Sequence, residues 1–233
     1  MKKIFREIVR FYSKMTDFFF LTQNFHKYQI KYSGIYSNKY KLKKEQFCLI
    51  HPPKSAGTSL NVHLKKKNIF IYESAHCLVS KHCRTEEYKY ITIIRNPVDR
   101  LKSFYEMQLN NKKLAFHRHS KKGLSYFVKQ IKLNQNCLCK FVLGNLNVDI
   151  NDENYLNVEK NLNNFWFLLN FDNLKEDVEV LSKKLNISSN IERIEKKEDL
   201  NKIKLSEEEI NIIKNFNLYD IKLYNYFINK LKK

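Results

Sequence analysis

The sequence contains few of the residues that interrupt regular secondary structure, with only 4 glycines and 3 prolines in 233 residues. It has no long stretch rich in Pro, Gly or Ser and no internal repeat, so nothing marks a linker between two domains. A chain of this length forms one sizeable core more readily than two. We therefore expect one domain, residues 46–233, preceded by an N-terminal extension of residues 1–45.

Cysteines are also few, and their spacing fits no common metal site. There are 5, an odd number, and no secretory leader precedes them. This combination predicts free thiols in a reducing compartment, so we expect a cytoplasmic protein. Cys77 and Cys83 lie near His76 and His82, but no CxxC or HxxxH spacing aims these side chains at one zinc ion. Small buried side chains are the favoured interpretation of the cysteines.

The first 25 residues lack an apolar run that could span a membrane, because charged residues from Arg6 to Asp17 interrupt it. Their pattern predicts an amphipathic helix with one apolar side and one basic side. Such a helix could lie on the anionic inner face of a membrane, or it could pack on the domain or on a partner. Packing is slightly favoured.

Acidic residues are scarce, with 24 against 43 basic ones, and the formal net charge is +19. A nucleic acid, an anionic lipid, an acidic polymer or a highly charged nucleotide could each pair with this excess. However, the basic residues are scattered, and the abundance of Lys, Asn and Ile is typical of an AT-rich genome. We therefore expect no nucleic-acid partner.

Strand patterns alternate with helical patterns along the domain. Apolar, β-branched runs predict strands at residues 47–51, 68–72, 88–95 and 165–171, with amphipathic helices between and after them. Asn96 and Pro97 predict the start of a helix that continues to Asn110. The alternation predicts the α/β class, with a mainly parallel sheet covered by helices on both faces.

The segment "FCLIHPPKSAGTSL" joins a buried strand to a helix through a tight turn. Backbone N–H groups at such a helix start bind anions, and the hydroxyls of Ser55, Thr58 and Ser59 add donors. Lys54 adds a mobile charge. This lysine precedes Gly57, unlike the GxxxxGK[ST] loop of nucleoside triphosphatases, so the turn favours one terminal phosphate-like group. The plain alternative is a solvated turn.

The segment "ITIIRNPVDRLKSFYEMQ" places Arg95 at the carboxyl end of a buried strand, where ligands of open α/β sheets bind. Ser103 lies two helical turns further on and could share a phosphate with the Arg95 guanidinium. Arg100 is expected to be a solvated or structural charge. Two anion sites on neighbouring strands suit a nucleotide that has phosphates at both ends.

These two segments resemble the nucleotide-binding segments of sulfotransferases that use 3′-phosphoadenosine 5′-phosphosulfate (PAPS). "IHPPKSAGTSL" looks like their 5′-phosphosulfate loop, and "IRNPVDRLKSFY" resembles their 3′-phosphate site. The resemblance is closest to the branch that contains heparan sulfate 2-O-sulfotransferase and its bacterial relatives. "NCLCKFVLG", "LNFDNLKEDVEVLSKKLNI" and "DIKLYNYF" are similar to later segments of the family, so the resemblance extends from about Phe47 to the C-terminus.

The resemblance implies a P-loop-NTPase-like sulfotransferase fold, PAPS as co-substrate and no metal. It implies in-line transfer of a sulfuryl group to a hydroxyl, and it favours a carbohydrate acceptor. His76 matches the histidine that removes the acceptor proton just after the second strand, with Glu73 and His82 in reserve. Lys54 would contact the bridging oxygen and balance charge as the nucleotide leaves. The implied nucleotide contacts are Ser55, Ala56, Gly57, Thr58 and Ser59 at the 5′-phosphate, and Arg95 and Ser103 at the 3′-phosphate.

Three positions depart from the family pattern. Asp172 replaces a glutamate, Leu169 replaces a glycine, and Cys139 or a neighbour stands where a glutamine is common. None of them belongs to the two phosphate segments, so the departures affect only local contacts elsewhere.

Two other functions fit part of the pattern. A P-loop kinase or NTPase would need the GxxxxGK[ST] loop and an acidic magnesium ligand after a strand, and both are missing. A non-catalytic protein that binds a membrane or nucleic acid would depend on scattered charge. The basic stretch from Lys112 to Lys122, with His117, Arg118 and His119, could face an acidic glycan or form an exposed loop.

Overall fold

The computed structural model describes residues 47–67, 71–77, 79, 89–188 and 203–231. The helix expected in residues 1–25 and the reserve residue His82 lie outside this part. Within it, four strands form one all-parallel sheet in the order β2–β1–β3–β4. The predicted α/β class and parallel sheet are confirmed. The strands are β1 (Phe47–Ile50), β2 (Ile71–Cys77), β3 (Lys89–Ile94) and β4 (Phe167–Asn170).

Helices follow the strands as the apolar periodicity predicts. α1 (Gly57–Lys66) follows β1, and α2 (Pro97–Asn110) follows β3. The Asn96 side chain caps α2 by accepting from the N–H groups of Val98 and Asp99, as its sequence predicts. None of the helices in the described ranges is long and apolar enough to cross a membrane. The remaining helices are α3 (His117–Ser120), α4 (Leu124–Gln130), a 3-10 turn (Lys132–Asn134), α5 (Cys137–Leu143), α6 (Asp152–Asn163), α7 (Leu174–Lys184), α8 (Glu207–Phe216) and α9 (Leu218–Leu231).

Both faces of the sheet are buried. On β3, Ile91 and Ile93 pack into a core with α1 and α7, whereas Tyr90 and Ile94 pack into a larger core formed with most of the other helices. This alternation is the two-residue period of a strand, and burial on both faces is typical of a parallel sheet. Since both faces of the described sheet are covered, a site at the sheet would lie at the carboxyl or the amino ends of its strands, here called the carboxyl edge and the amino edge.

Helices α5 and α9 cap one another. The side-chain oxygen of Asn136 accepts from the N–H groups of Tyr219 and Asp220 at the start of α9, at 3.0 and 3.2 Å. The buried Asp220 carboxylate accepts from the N–H groups of Leu138 and Cys139 at the start of α5, at 3.0 and 2.9 Å. Each cap satisfies amides that would otherwise be unpaired, at about 1–3 kcal/mol for each buried group. The closing helix is thereby fixed to the domain.

Strand β2 differs from its prediction. Residues 68–70 lie outside the described ranges, and the strand occupies Ile71–Cys77, which includes the polar residues Glu73 and His76. Among the described strands, β2 is at the edge of the sheet and has a neighbour on one side only, so polar residues can lie in it. A register shift then pairs Ile50 with Cys77. His76, expected just after the second strand, therefore lies within it.

Arg100 is only 2% exposed, so the expectation of a solvated charge is wrong and the structural alternative holds. Its Nη2 donates to the carbonyl of Asn134 at 3.0 Å, which ties α2 to the 3-10 turn. The partner lies 34 residues away in the chain, so the sequence pattern around Arg100 gives no sign of it.

Three of the cysteines are buried and form no disulfide: Cys48, Cys137 and Cys139. Burial raises the pKa of the Cys137 thiol to about 11, so this side chain is a neutral thiol near pH 7. Their surroundings agree with the interpretation of small buried side chains.

Candidate active site

The loop between β1 and α1, residues 51–56, is here called the anion loop. Lys54 (φ 70°) and Ala56 (φ 62°) both adopt the left-handed backbone conformation, which costs a residue with a Cβ about 1–2 kcal/mol. The N–H groups of Ser59 and Leu60 donate to the carbonyl of Ala56, at 3.1 and 3.2 Å. The preceding N–H groups, those of Gly57 and Thr58, have no acceptor within the helix. They lie at the positive end of α1, where an anion can accept from them.

Gly57 is required by a close approach between the helix and the loop. The buried His51 side chain, 2% exposed, packs directly against its Cα. A Cβ at position 57 would overlap the imidazole ring of His51. The start of α1 can therefore take this position only with glycine there. His51 was not predicted as part of the site, although its place directly after β1 is a signal that could have identified it.

The hydroxyl groups of the anion loop differ in accessibility. Ser55 is 1% exposed, and its Oγ donates to the carbonyl of Pro52 at 2.8 Å. That hydroxyl therefore holds the loop and does not donate to a ligand in this conformation, unlike the sequence expectation, although the backbone N–H of Ser55 can still do so. Thr58 is exposed and Ser59 is half-buried, so their hydroxyls can reach a bound anion.

Arg95 directly follows β3 and lies beside the anion loop. Its Nη1 donates to the backbone carbonyl of Lys54 at 2.7 Å. The guanidinium also lies over the ring of Phe171, 4.0 Å from the ring centroid. Phe171 follows β4, and its N–H donates to the carbonyl of Ile94 at 2.8 Å. The structure thus brings Lys54 and Arg95 together at the carboxyl edge of the sheet, as expected from the ends of neighbouring strands.

The electrostatic surroundings of Arg95 favour an anionic ligand. Burial lowers the pKa of this guanidinium, an effect that nearby Asp99 partly offsets, yet arginine remains charged in proteins. Its Nε is buried and has no hydrogen-bond partner among the described residues. A partly desolvated guanidinium with unused donors binds phosphate-like groups strongly.

Ser103 lies on α2, about 9 Å along the helix axis from Pro97, and is 7% exposed. No hydrogen bond within the described ranges joins it to Arg95. The role of Ser103 stays a prediction.

The side chain of His76, like that of Glu73, is not part of the description. The backbone of His76 precedes Cys77, which pairs with Ile50 at the carboxyl end of β1. His76 is thus placed at the same edge of the sheet as the anion loop. Its assignment as the base, and that of Lys54 as the group facing the bridging oxygen, stay predictions.

Helix α9 contacts the residues around Arg95 through the side chain of Tyr224. The hydroxyl of Tyr224 donates to the carboxylate of Asp172 at 3.0 Å. Asp172 also interacts electrostatically with Arg95. Burial, with a smaller contribution from Asp172, raises the pKa of Tyr224 to about 12. The aspartate that departs from the family pattern is therefore bonded to the closing helix, which the sequence did not predict.

The basic stretch after α2 presents exposed cations, but its histidines contact the protein itself. His119 is buried and stacks on Tyr126, with 6.4 Å between ring centroids. The Nδ1 atom of His117 lies 2.9 Å from the carbonyl oxygen of Gln108. The exposed cations are Lys112, Lys113, Arg118, Lys121 and Lys122.

The arrangement as a whole can hold two anionic groups close together. One would accept from the N–H groups at the start of α1, and the other from the free edge of the Arg95 guanidinium. Compared with models of known protein families and with curated proteins, the sequence matches none of them.

Proposed function

We propose that this chain is a PAPS-dependent sulfotransferase with the P-loop-like fold of that family, and that it transfers a sulfuryl group to a carbohydrate hydroxyl. The observation that supports it best is the 2.7 Å hydrogen bond from Arg95 to the Lys54 carbonyl. This contact joins two anion-binding elements, one at the start of α1 and one at the end of β3. A nucleotide with phosphates at both ends would use both elements.

The anion loop suits the sulfated end of PAPS better than a triphosphate. The N–H groups of Gly57 and Thr58, which directly follow the loop, would both donate to one phosphate-like group at the helix start. The loop itself contains no glycine that would let the backbone wrap several phosphates. The 3′-phosphate would then accept from Arg95 and Ser103, in agreement with the resemblance of both segments to the family.

The proposed reaction is an in-line displacement at sulfur. The acceptor oxygen forms the new O–S bond while the bond between sulfur and the bridging oxygen breaks. His76 takes the proton of the acceptor hydroxyl, and the electron pair of the broken bond stays on the departing adenosine 3′,5′-bisphosphate. The Lys54 ammonium balances the charge that develops there.

Transfer of radiolabelled sulfur from PAPS to glycans of the source cell tests the proposal. We expect Lys54→Ala and His76→Ala to abolish transfer, with nucleotide binding nearly intact in His76→Ala because the base does not hold the nucleotide. Lys66→Ala, at the exposed far end of α1, is the charge-matched control and should keep full activity. If His76→Ala kept wild-type turnover, the base assignment would be wrong while the family assignment survived.

Retention of labelled PAPS at rising salt tests the two rival functions. A specific pocket should retain PAPS at moderate salt, whereas binding through scattered charge weakens steeply as the salt concentration rises. Tight ATP binding without any PAPS binding would instead indicate a kinase or NTPase.

A further inference from the structure

We infer that Arg95 is a positioning residue for the anion loop as well as a ligand for the nucleotide, so that the two ends of the nucleotide bind in a coupled way. The nucleotide part of this inference rests on the proposed function. The contact of Arg95 with the loop does not, because it joins two groups of the protein itself.

The anion loop needs support from outside itself. Two of its residues, Lys54 and Ala56, have positive φ angles of 70° and 62° although both have a Cβ. Such conformations persist only where surrounding contacts hold them. The bond from Ser55 to Pro52 is local, spanning three residues. The bond from Arg95 to Lys54 spans 41 residues and attaches the strained position to the end of β3, an inner strand of the described sheet.

Arg95 is itself held firmly enough to serve as an anchor. It directly follows β3, whose neighbours β1 and β4 pair with it on both sides. The ring of Phe171 supports the flat face of the guanidinium at 4.0 Å. A rigid donor loses little conformational entropy when it binds the loop, so the bond stabilises one loop conformation.

The guanidinium can support the loop and bind a phosphate at the same time. Nη1 donates to Lys54, whereas Nε is buried and unpartnered among the residues described. Nε and the adjacent Nη2 form the opposite edge of the planar group, with parallel N–H bonds that fit two phosphate oxygens. A 3′-phosphate on this edge would fix the guanidinium further and with it the loop. By thermodynamic reciprocity, a group bound in the loop would then strengthen binding at Arg95 to the same degree.

Amide hydrogen exchange of the chain without added nucleotide tests whether Arg95 stabilises the conformation of the anion loop. We expect Arg95→Met to increase exchange at Ser59 and Leu60, whose amides donate to the carbonyl of Ala56 in the loop, by roughly tenfold to hundredfold, because a charge-assisted hydrogen bond that fixes the loop is lost. Ser103→Ala and the exposed charge control Arg118→Met should leave this exchange unchanged. Arg95→Lys keeps the charge and one donor, so an intermediate value is expected, and it serves as the test variant should Arg95→Met fail to fold.

Nucleotide titration tests the coupling. Ser103→Ala should weaken binding of adenosine 3′,5′-bisphosphate and leave binding of adenosine 5′-phosphate unchanged. Arg95→Met should weaken both, including the ligand that has no 3′-phosphate, by about tenfold for the 5′-phosphate.

The outcomes separate the two proposals. Unchanged loop exchange in both Arg95 variants, or unchanged binding of adenosine 5′-phosphate in Arg95→Met, would overturn the positioning role while leaving the sulfotransferase assignment intact. A wild-type chain that binds neither nucleotide would overturn the sulfotransferase assignment and the coupling, and faster loop exchange in Arg95→Met would then still support the structural hold.

Discussion

At the carboxyl edge of the sheet Arg95 lies over Phe171 at 4.0 Å, and at the amino edge Lys184 lies over Trp166 at 4.4 Å. The same pair of groups, a cation on an aromatic ring, thus occurs at both edges. At the amino edge the ring packs against another aromatic residue, with 4.9 Å between the centroids of Phe47 and Trp166. At the carboxyl edge the cation instead bonds to a strained loop, and its buried Nε has no hydrogen-bond partner within the described part of the chain.

This difference follows from the topology. In a parallel sheet the helices that follow the strands begin at the carboxyl edge, so their unpaired N–H groups and positive dipole ends point there. At the amino edge of the described sheet, α7 ends at Lys184, and the aromatic residues there pack on one another. Residue type alone therefore does not distinguish the two edges, whereas position relative to the strand ends does. The predictions below separate binding at one edge from stability at the other.

The largest effect is expected from Gly57→Ala. The new Cβ would overlap the His51 ring, so the start of α1 must shift and lose its geometry for an anion. We expect binding of adenosine 3′,5′-bisphosphate to weaken by roughly fivefold to hundredfold, because overpacking costs about 1–3 kcal/mol. Isothermal titration calorimetry measures it.

Gly123→Ala is the matched control for this change. A Cβ at Gly123 meets no atom within 4 Å, but the residue has φ of 94° and ψ of 159°, so alanine there costs backbone strain of about 1–3 kcal/mol. Stability should fall by this amount and binding should stay as in the wild type. Equal losses of binding in the two variants would show that the start of α1 has no special part in it.

A smaller effect, on stability and not on nucleotide binding, is expected from Trp166→Ala at the amino edge. Loss of a half-buried indole that contacts Phe47 and Lys184 should lower the free energy of unfolding by about 2 kcal/mol. Nucleotide affinity should remain unchanged. Urea denaturation and calorimetry on the same variant provide both quantities.

Phe171→Ala is the counterpart at the carboxyl edge. It removes the ring beneath Arg95, so nucleotide affinity should fall. If Trp166→Ala also reduced affinity, the functional distinction between the two edges would be lost.

The smallest effect concerns Tyr224. Burial and the neighbouring Asp172 raise its pKa from 10 to about 12, so the folded state favours the neutral phenol. The corresponding stability is present below pH 10 and is lost as the pH rises through 12. The Tyr224→Phe variant has no phenol to ionise at this position, so it has no such stability to lose. The stability difference between wild type and variant should therefore shrink between pH 10 and pH 12, and urea denaturation at several pH values measures it. A difference that stays constant over this range would contradict the contact with Asp172.

Much of the fold could be predicted because its signals are local. Periodicity placed the strands around β1, β3 and β4, and the cap at Asn96 set the start of α2 to the residue. The rule that parallel strands end at one edge predicted that Lys54 and Arg95 are neighbours. These inferences need only adjacent residues and the order of elements.

The rest depends on contacts that are distant in sequence. The polar end of β2 becomes a strand through its pairing with β1, and Arg100 is buried because Asn134 accepts its hydrogen bond. The reciprocal caps of Asn136 and Asp220 join residues more than 80 positions apart. Phe171 was missed as a site residue, although it directly follows β4 and the strand-end rule could have identified it.

An NMR titration with adenosine 3′,5′-bisphosphate tests most directly whether a single ligand bridges the start of α1 and the end of β3. The backbone amides of Gly57 and Thr58 and the Nε–H of Arg95 are the three signals to follow. Our account predicts that all three shift together and saturate at one equivalent with one midpoint. Shifts at only one of the two elements, or two separate midpoints, would contradict it.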